Sequence, residues 1–225
     1  MGLLDDLKKQ ADAAKGSEIS KTAMMQSNIS ATDSSLKLAS KYLAQLTSQL
    51  NVLKPVATRV YYLDQVGELS GFTQAEFFSD YRTGDVEGKE MFKQVLLNFR
   101  CTLPAPLQVR RNFDQLESFR KILSRFGLKH TSQAFKNERN VVTHEVFSIT
   151  GEFLSQILLE GDHLNGQIKV TAKHLSEFGF VCMVIESRNF NDTIMDEFTK
   201  LLIGKPSQFW QMGKRVPFTG SGGSL

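Results

Sequence analysis

The feature that most constrains this chain is a heptad repeat of mainly apolar residues near its N-terminus, ended by Pro55. Its members are separated by alternating steps of four and three residues, which is the spacing of a coiled-coil seam. Most residues between them are Ser, Thr, Gln, Lys or Asn, so the apolar stripe is narrow. The seam consists of Met25, Ile29, Thr32, Leu36, Ala39, Leu43, Leu46, Leu50 and Leu53.

The narrow stripe favours one of two environments for this helix. A helix that packs on its own domain usually has an apolar face wider than a heptad seam. We therefore predict that residues 21–54 form a coiled-coil-like helix that pairs with a second copy of the chain or with a protein partner. The alternative is that the helix packs on the domain that follows it. The predicted oligomer seam comprises Met25, Ile29, Leu36, Leu43, Leu46, Leu50 and Leu53.

The chain after Pro55 is predicted to form an α+β domain. Apolar and polar residues alternate within several short segments, which is typical of strands with one buried face. Residues 178–186 are almost continuously apolar, as expected of a central strand covered on both faces. Residues 56–66 fit a strand or the start of a helix equally well. The predicted strands are residues 95–103, 141–150, 153–160, 167–174 and 178–186.

Three helices are predicted within this domain from apolar spacing and end signals. Aromatic residues at helical spacing follow Thr73, which can form a capping box with Glu76. Gly127 is placed for the left-handed position that ends many helices. Residues 82–89 are predicted to be a loop. The predicted helices are residues 73–81, 114–126 and 192–203.

The fold class that follows is α+β: an antiparallel sheet of about five strands with two or three packed helices, preceded by a long N-terminal coiled-coil-like helix. The length of 225 residues and the hydrophobic content of 41% suit one domain with appendages. The predicted organisation is a polar, partly ordered N-terminus at 1–20, the helix at 21–54, the α+β domain at 56–204 and a basic, flexible tail at 205–225.

Charge, cysteines and the N-terminus favour a cytoplasmic protein. The formal net charge is +3, which does not by itself call for a nucleic acid or an anionic membrane. Cys101 and Cys182 lie in predicted strands, where reduced, buried thiols are expected rather than a disulfide scaffold. Asp5 and Asp6 stand where a signal peptide would carry basic and then apolar residues. No segment approaches the ~18 apolar residues of a membrane span.

No catalytic or cofactor motif occurs in the sequence. The P-loop, the dinucleotide fingerprint, the nucleophile elbow and the Cys-x-x-Cys pair are all missing. Each histidine stands alone in its predicted element, although His144 and His174 lie on different strands that could face each other. We therefore predict no metal site and no cofactor, and we favour a non-enzymatic role over an enzyme whose site is assembled from distant residues. The histidines are His130, His144, His163 and His174.

Positive charge is concentrated between Arg100 and Arg139, where nine basic residues stand against three acidic ones. Such a surplus can bind phosphate groups or RNA, and the alternative is an ordinary solvated surface. The aromatic residues of this stretch mostly have the spacing of core positions rather than of stacking platforms. The candidate anion-binding residues are Arg110, Arg111, Lys121 and Arg125.

The tail contains the only tryptophan of the chain, Trp210, next to Phe209. Aromatic residues in a flexible segment can anchor a partner. The alternative is that Phe209 and Trp210 pack back on the domain.

These features favour three functions, in the following order. The first is a cytoplasmic interaction or scaffold protein that associates through the heptad helix and binds a partner through its α+β domain or tail. The second is a small-molecule sensor, because residues 178–202 resemble the last strand and helix of a GAF-type domain, and a helix leading into a mixed sheet is also the plan of PAS-type domains. This resemblance implies a fold and assigns no ligand site. The third is anion or RNA binding through residues 100–139.

Overall fold

The computed structural model describes residues 3–57 and 59–219, with side chains described from residue 15 onward. The helices are α1 (Leu3–Leu53), α2 (Leu116–Arg125) and α3 (Asp192–Leu202). The strands are β1 (Tyr61–Leu63), β2 (Gly67–Leu69), β3 (Thr73–Val86), β4 (Lys89–Thr102), β5 (Leu107–Asn112), β6 (His130–Lys136), β7 (Val142–Ile149), β8 (Glu152–Asp162), β9 (Gln167–Lys173), β10 (Phe180–Glu186) and β11 (Lys214–Val216). The α+β class is confirmed. No helix in the described part of the chain has the length and apolar content needed to cross a membrane.

The strands form one large antiparallel sheet and two smaller ones. The large sheet has six strands in the order β11-β10-β9-β8-β4-β3, and a second sheet has the order β5-β7-β6. The prediction of about five strands was therefore too low.

Because β5 to β7 and α2 lie in sequence between β4 and β8, the second sheet is an insertion between adjacent strands of the first. We call this insertion, residues 103–151, the lobe. The rings of Phe119 in α2 and Phe147 in β7 meet edge to face at 5.0 Å and join the two layers of the lobe.

The seam of α1 packs on one face of the six-stranded sheet, here called the inner face. α3 lies on the same face, since Leu43, Ile157 and Phe198 line one small internal gap. The seam is therefore buried against the sheet of its own chain. This arrangement is the alternative in which the helix packs on its own domain. Because the inner face is a broad apolar surface, a narrow apolar stripe is enough for α1 to pack on it. The buried seam residues are Ile29, Thr32, Leu36, Ala39, Leu43, Leu46 and Leu50.

The two ends of α1 differ from its centre. Met25 is half-buried and Leu53 is 72% exposed, so both lie at the margins of the packed segment. Residues 15–24 are exposed on every side, and the helix continues to Leu3. The partly ordered N-terminus predicted for residues 1–20 is thus helical where it is described. Residues 1 and 2 and the side chains of residues 3–14 lie outside the described residues.

The helix predicted at residues 73–81 is wrong, because these residues belong to β3. Phe77 is buried on the inner face and stacks on Phe99 at 5.0 Å, whereas Phe78 is 57% exposed. A bulge at Glu76 shifts the register, and the side-chain amide of Asn51 bonds both the N–H and the carbonyl of Phe77 there. Pairing along β4 and this bulge outweigh the helical spacing of the aromatic residues.

The loop predicted at residues 82–89 is much shorter than expected. β3 continues to Val86, β4 begins at Lys89, and a two-residue turn joins them. Glu87 and Gly88 both have positive φ, at 51° and 76°, as a type I′ hairpin turn requires. Residues 56–66, left open between helix and strand, contain the short strand β1 and a single bridge at Val56.

Other predicted elements are confirmed with small shifts of their ends. β4, β7, β8, β9 and β10 overlap the five predicted strands, and α2 and α3 overlap the predicted helices at 114–126 and 192–203. β10 is central, between β9 and β11, but Phe180 and Val184 on its outward side are partly exposed rather than fully covered.

The segment predicted to be a flexible tail is attached to the domain as far as residue 219. Phe209 is 2% exposed and packs on Phe198 at 5.2 Å. β11 then pairs with β10 as the edge strand of the large sheet. Burial of this large aromatic side chain and the added strand offset the entropy of ordering the segment. The glycine-rich residues 220–225 lie outside the described residues.

Substituting Leu43 with alanine tests whether the seam is part of the core. Leu43→Ala should lower the free energy of unfolding by about 3 kcal/mol, because it leaves a cavity between α1 and the sheet. Leu53→Ala is the control and should change it by less than about 0.5 kcal/mol, because Leu53 is exposed. Urea unfolding of both variants measures the difference, and equal effects would contradict the packing described.

Candidate functional site: an aromatic cleft and an amide basin

The face of the six-stranded sheet opposite α1, here called the outer face, is open to solvent over much of its area. Where the lobe meets this face there is a cleft of about 800 Å³. One wall is the C-terminal end of α2, and the floor comes from β8, β9 and the start of β10. We call this the aromatic cleft. It lies where two units of the fold meet, a common position for ligand sites.

Two local structures shape the walls of the aromatic cleft. α2 ends in a Schellman motif, in which Leu128 N–H bonds the Leu123 carbonyl and Gly127 N–H bonds that of Ser124. Gly127 has φ 64°, which confirms its predicted role at the end of the helix. On the opposite side, His174 also has a positive φ of 53° and begins a tight loop that ends at Gly179.

Aromatic side chains line most of the aromatic cleft. Phe178 packs against Phe126, Phe153 and the imidazole of His174 with ring centroids 5.1 to 5.7 Å apart. Phe180 stacks on Phe218 at 4.0 Å, with an angle of 4° between the rings. The lining phenylalanines are Phe126, Phe153, Phe178, Phe180 and Phe218.

The charged residues that line the aromatic cleft are both cations. The Arg125 guanidinium lies 5.5 Å from the ring centroid of Phe126, and the Lys173 ammonium lies 5.7 Å from that of Phe180. Neither side chain forms an ion pair with any described residue. No carboxylate is among the residues that line the cleft. The cleft therefore combines flat apolar surfaces with uncompensated positive charge, which attracts an anion carrying an aromatic or apolar group.

His174 is held neutral at the back of the aromatic cleft. Burial, reinforced by the positive charge of Lys173, lowers its pKa from 6.5 to about 4. Its Nδ1 accepts a hydrogen bond from Gly179 N–H at 3.0 Å, so the neutral ring carries its proton on Nε2. The imidazole is therefore a hydrogen-bond donor at neutral pH.

A serine hydroxyl and a cysteine thiol lie near the cleft, but both form contacts within the fold. The Ser155 hydroxyl donates to the His174 carbonyl at 2.8 Å, and Cys101 lies 3.5 Å from that hydroxyl. Burial raises the pKa of the Cys101 thiol to about 11, so it is protonated and unreactive at neutral pH. No group of three or more potential metal ligands occurs among the described residues. The arrangement is suited to binding.

A second depression of about 370 Å³ lies on the outer face, between β3, β4 and β8. We call it the amide basin after three of its lining residues, Gln94, Asn98 and Gln156. The other residues that line it are Asp80, Tyr81, Arg82, Leu96, Leu158 and Glu160. Gln94 donates to Glu160 at 3.0 Å. Gln156 is 6% exposed, and its amide forms no hydrogen bond with any described residue. The amide oxygen of Asn98 is buried without a partner in the described part of the chain.

The strand register joins the amide basin to the aromatic cleft. Asn98 pairs with Gln156, Gln156 with Lys173, and Lys173 with Phe180. Since neighbouring strands are about 4.8 Å apart, these four side chains form a line roughly 14 Å long across the outer face. We call it the cross-strand row. It runs from an aromatic ring through a cation to two amides.

The four predicted anion-binding residues do not form one site. Arg110 and Arg111 are consecutive in β5 and point to opposite faces, with Arg111 lying 4.5 Å over the ring of Phe119. Lys121 is paired with Glu117 at 2.7 Å on the exposed side of α2. Arg125 lines the aromatic cleft.

The basic surplus of residues 100–139 is partly neutralised by carboxylates from elsewhere in the chain. Arg100 pairs with Glu76 and Glu152, and Arg120 pairs with Glu145. These glutamates lie outside the counted stretch, so a local charge count overstates the field of this surface.

The structure also shows where the predicted tail anchor and the two strand histidines lie. Trp210 donates from its indole to Ser176 at 2.9 Å, and Arg215 lies 4.3 Å over its ring, so the predicted tail anchor holds the tail to its own domain. His144 stacks on Phe135 in the lobe, whereas His174 follows β9 of the large sheet. The two histidines therefore belong to different sheets.

No protein-family model, curated protein or solved structure matches the chain. The function must therefore be inferred from the site itself.

A pH dependence of stability should reveal the neutral His174. Because its pKa is lower in the folded chain than its ordinary 6.5, the unfolded chain binds the extra proton first, and stability falls as the pH drops from about 6.5 to 4. The loss attributable to this group is at most roughly 3 kcal/mol.

The variant His174→Asn isolates this effect. Asparagine keeps an acceptor for Gly179 N–H, tolerates the positive φ and does not titrate. Urea unfolding at pH 7 and pH 4.5 should show a smaller acid-induced loss in the variant than in the wild type. Equal losses in both proteins would show that His174 does not titrate as described.

Proposed function

We propose that the protein is a non-catalytic binding module whose aromatic cleft takes a small organic anion with an aromatic or apolar group. This proposal corresponds to the small-molecule sensor, the second function favoured by the sequence. It also uses Arg125, one of the candidate anion-binding residues of the third function. The observation that carries it is the presence of two unpaired cations, Arg125 and Lys173, in a lining of phenylalanines without a carboxylate.

Binding in this cleft has a clear physical basis. Phenylalanine surfaces supply apolar contact area, and each cation is already close to an aromatic face. An anion placed between Arg125 and Lys173 gains charge-assisted contacts without having to break an existing ion pair. The neutral His174 adds a hydrogen-bond donor.

Association through the heptad seam is no longer the leading hypothesis. Seven of its nine positions are buried against the chain's own sheet. The geometry favours a function of the aromatic cleft, which no described residue of α1 or α3 lines.

A matched pair of fluorescent probes tests the proposal. 8-Anilinonaphthalene-1-sulfonate is an aromatic anion, and N-phenyl-1-naphthylamine is its uncharged counterpart. The sulfonate should bind one site saturably, and Lys173→Ala combined with Arg125→Ala should weaken it by about tenfold or more, since removing a charge contact of about 1.4 kcal/mol has that effect. The affinity for the uncharged probe should change little.

Lys169→Ala is the matched control, because Lys169 lies on the same outer face of β9 but outside the aromatic cleft. It should leave both affinities unchanged. If the sulfonate does not bind saturably, or if the double variant and the control behave alike, the proposed function is wrong.

A further inference from the structure

The amide basin contains a polar side chain whose hydrogen-bonding capacity the fold leaves unused. Gln156 is 6% exposed, and its amide has no partner among the described residues. Most of this side chain is buried, but its amide atoms reach the solvent of the depression, where water or a ligand can bond them. Asn98, its register partner on β4, also lines the depression, and its amide oxygen is buried without a described partner. An amide whose side chain is held in place by burial, and which no described residue bonds, is available to a ligand at the wall of the depression.

The position of these amides relative to the aromatic cleft defines the order of groups in a ligand. Along the cross-strand row, Phe180 is followed by Lys173, then Gln156, then Asn98. Lys173 and Gln156 lie on adjacent strands, about 4.8 Å apart. A phosphate held by Lys173 therefore has the sugar or polyol bonded to it on the side of Gln156. Amide, carboxylate and guanidinium groups around the basin can both donate to and accept from hydroxyl groups.

Resting on the proposed function of the aromatic cleft, we infer that the ligand is a phosphate ester joining an aromatic or apolar group to a sugar or polyol. The apolar group occupies the aromatic cleft, and the phosphate lies between Arg125 and Lys173. The hydroxylated group enters the amide basin and bonds the Gln156 amide. A nucleotide sugar and the headgroup region of an inositol phospholipid share this chemistry.

Two pairs of probes test the inference and distinguish these sources. UDP-glucose is compared with UDP, and dioctanoyl phosphatidylinositol with dioctanoyl phosphatidic acid, by isothermal titration calorimetry below the micellar concentration of the lipids. In at least one pair, the sugar- or polyol-bearing member should bind at least tenfold more tightly. Gln156→Leu should abolish this advantage and leave the affinity of the shorter member unchanged.

Gln167→Leu is the matched control, because Gln167 is on the outer face of β9, outside the amide basin, and donates to Glu186 at 2.9 Å. It should preserve the advantage. Equal affinities within both pairs, or an unchanged advantage in Gln156→Leu, would overturn the inference. If neither polyol ester binds while the naphthalene sulfonate does, the inference fails and the proposed function stands.

Stability provides an independent measurement on the same variant. Because the amide of Gln156 makes no hydrogen bond in the fold, replacing it with a similar-sized apolar side chain should leave the free energy of unfolding equal or higher. A clear destabilisation in urea unfolding would show that Gln156 has a structural partner and would overturn the inference.

Discussion

The packing of α1 on the inner face of the six-stranded sheet is the interaction on which the rest of the structure depends. An antiparallel sheet with one apolar face must cover it, and Val95, Leu97 and Phe99 are completely buried beneath this helix and its neighbours. A heptad seam alone would fit such a face at several axial positions, because its pattern repeats every seven residues. Polar contacts select one of them: Thr32 bonds Ser187, Asn28 bonds the Leu164 carbonyl, and Asn51 bonds the backbone of β3. Each of these bonds can form in one register, so they specify the position that the apolar contacts stabilise.

The location of the candidate site follows from this arrangement. With α1 and α3 on the inner face, the outer face remains open, and the lobe inserted between β4 and β8 forms a wall at one end of it. The end of α2 then brings Arg125 and Phe126 opposite Lys173 and Phe180. Residues from five separate segments line the aromatic cleft, and they come together because the meander β8-β9-β10 and the attached tail converge beside the lobe.

The sequence predicts well those elements whose pattern reflects local packing. The α2 helix, its Gly127 end and the alternating strand β9 follow from periodicity and end signals. The partner of the α1 seam could not be predicted, because heptad spacing is the same whether the surface facing it is another helix or a sheet. β3 was missed since a bulge gives its aromatic residues helical spacing, and β6, exposed along its whole length, carries no alternation to detect. Of the residues that line the aromatic cleft, Arg125 is a candidate anion-binding residue from the sequence, but its place in one cleft with Lys173 depends on contacts between segments distant in the chain.

The most direct test of the central claim is a disulfide between α1 and the segment after β10. The hydroxyl oxygens of Thr32 and Ser187 are 2.7 Å apart, and both residues are buried. The double variant Thr32→Cys, Ser187→Cys should form an intramolecular disulfide on mild oxidation, visible as a faster-migrating monomer on a non-reducing gel, while either single variant stays unchanged. Disulfide-linked dimers as the product, with no cross-linked monomer, would show that α1 packs on another chain and would contradict the account.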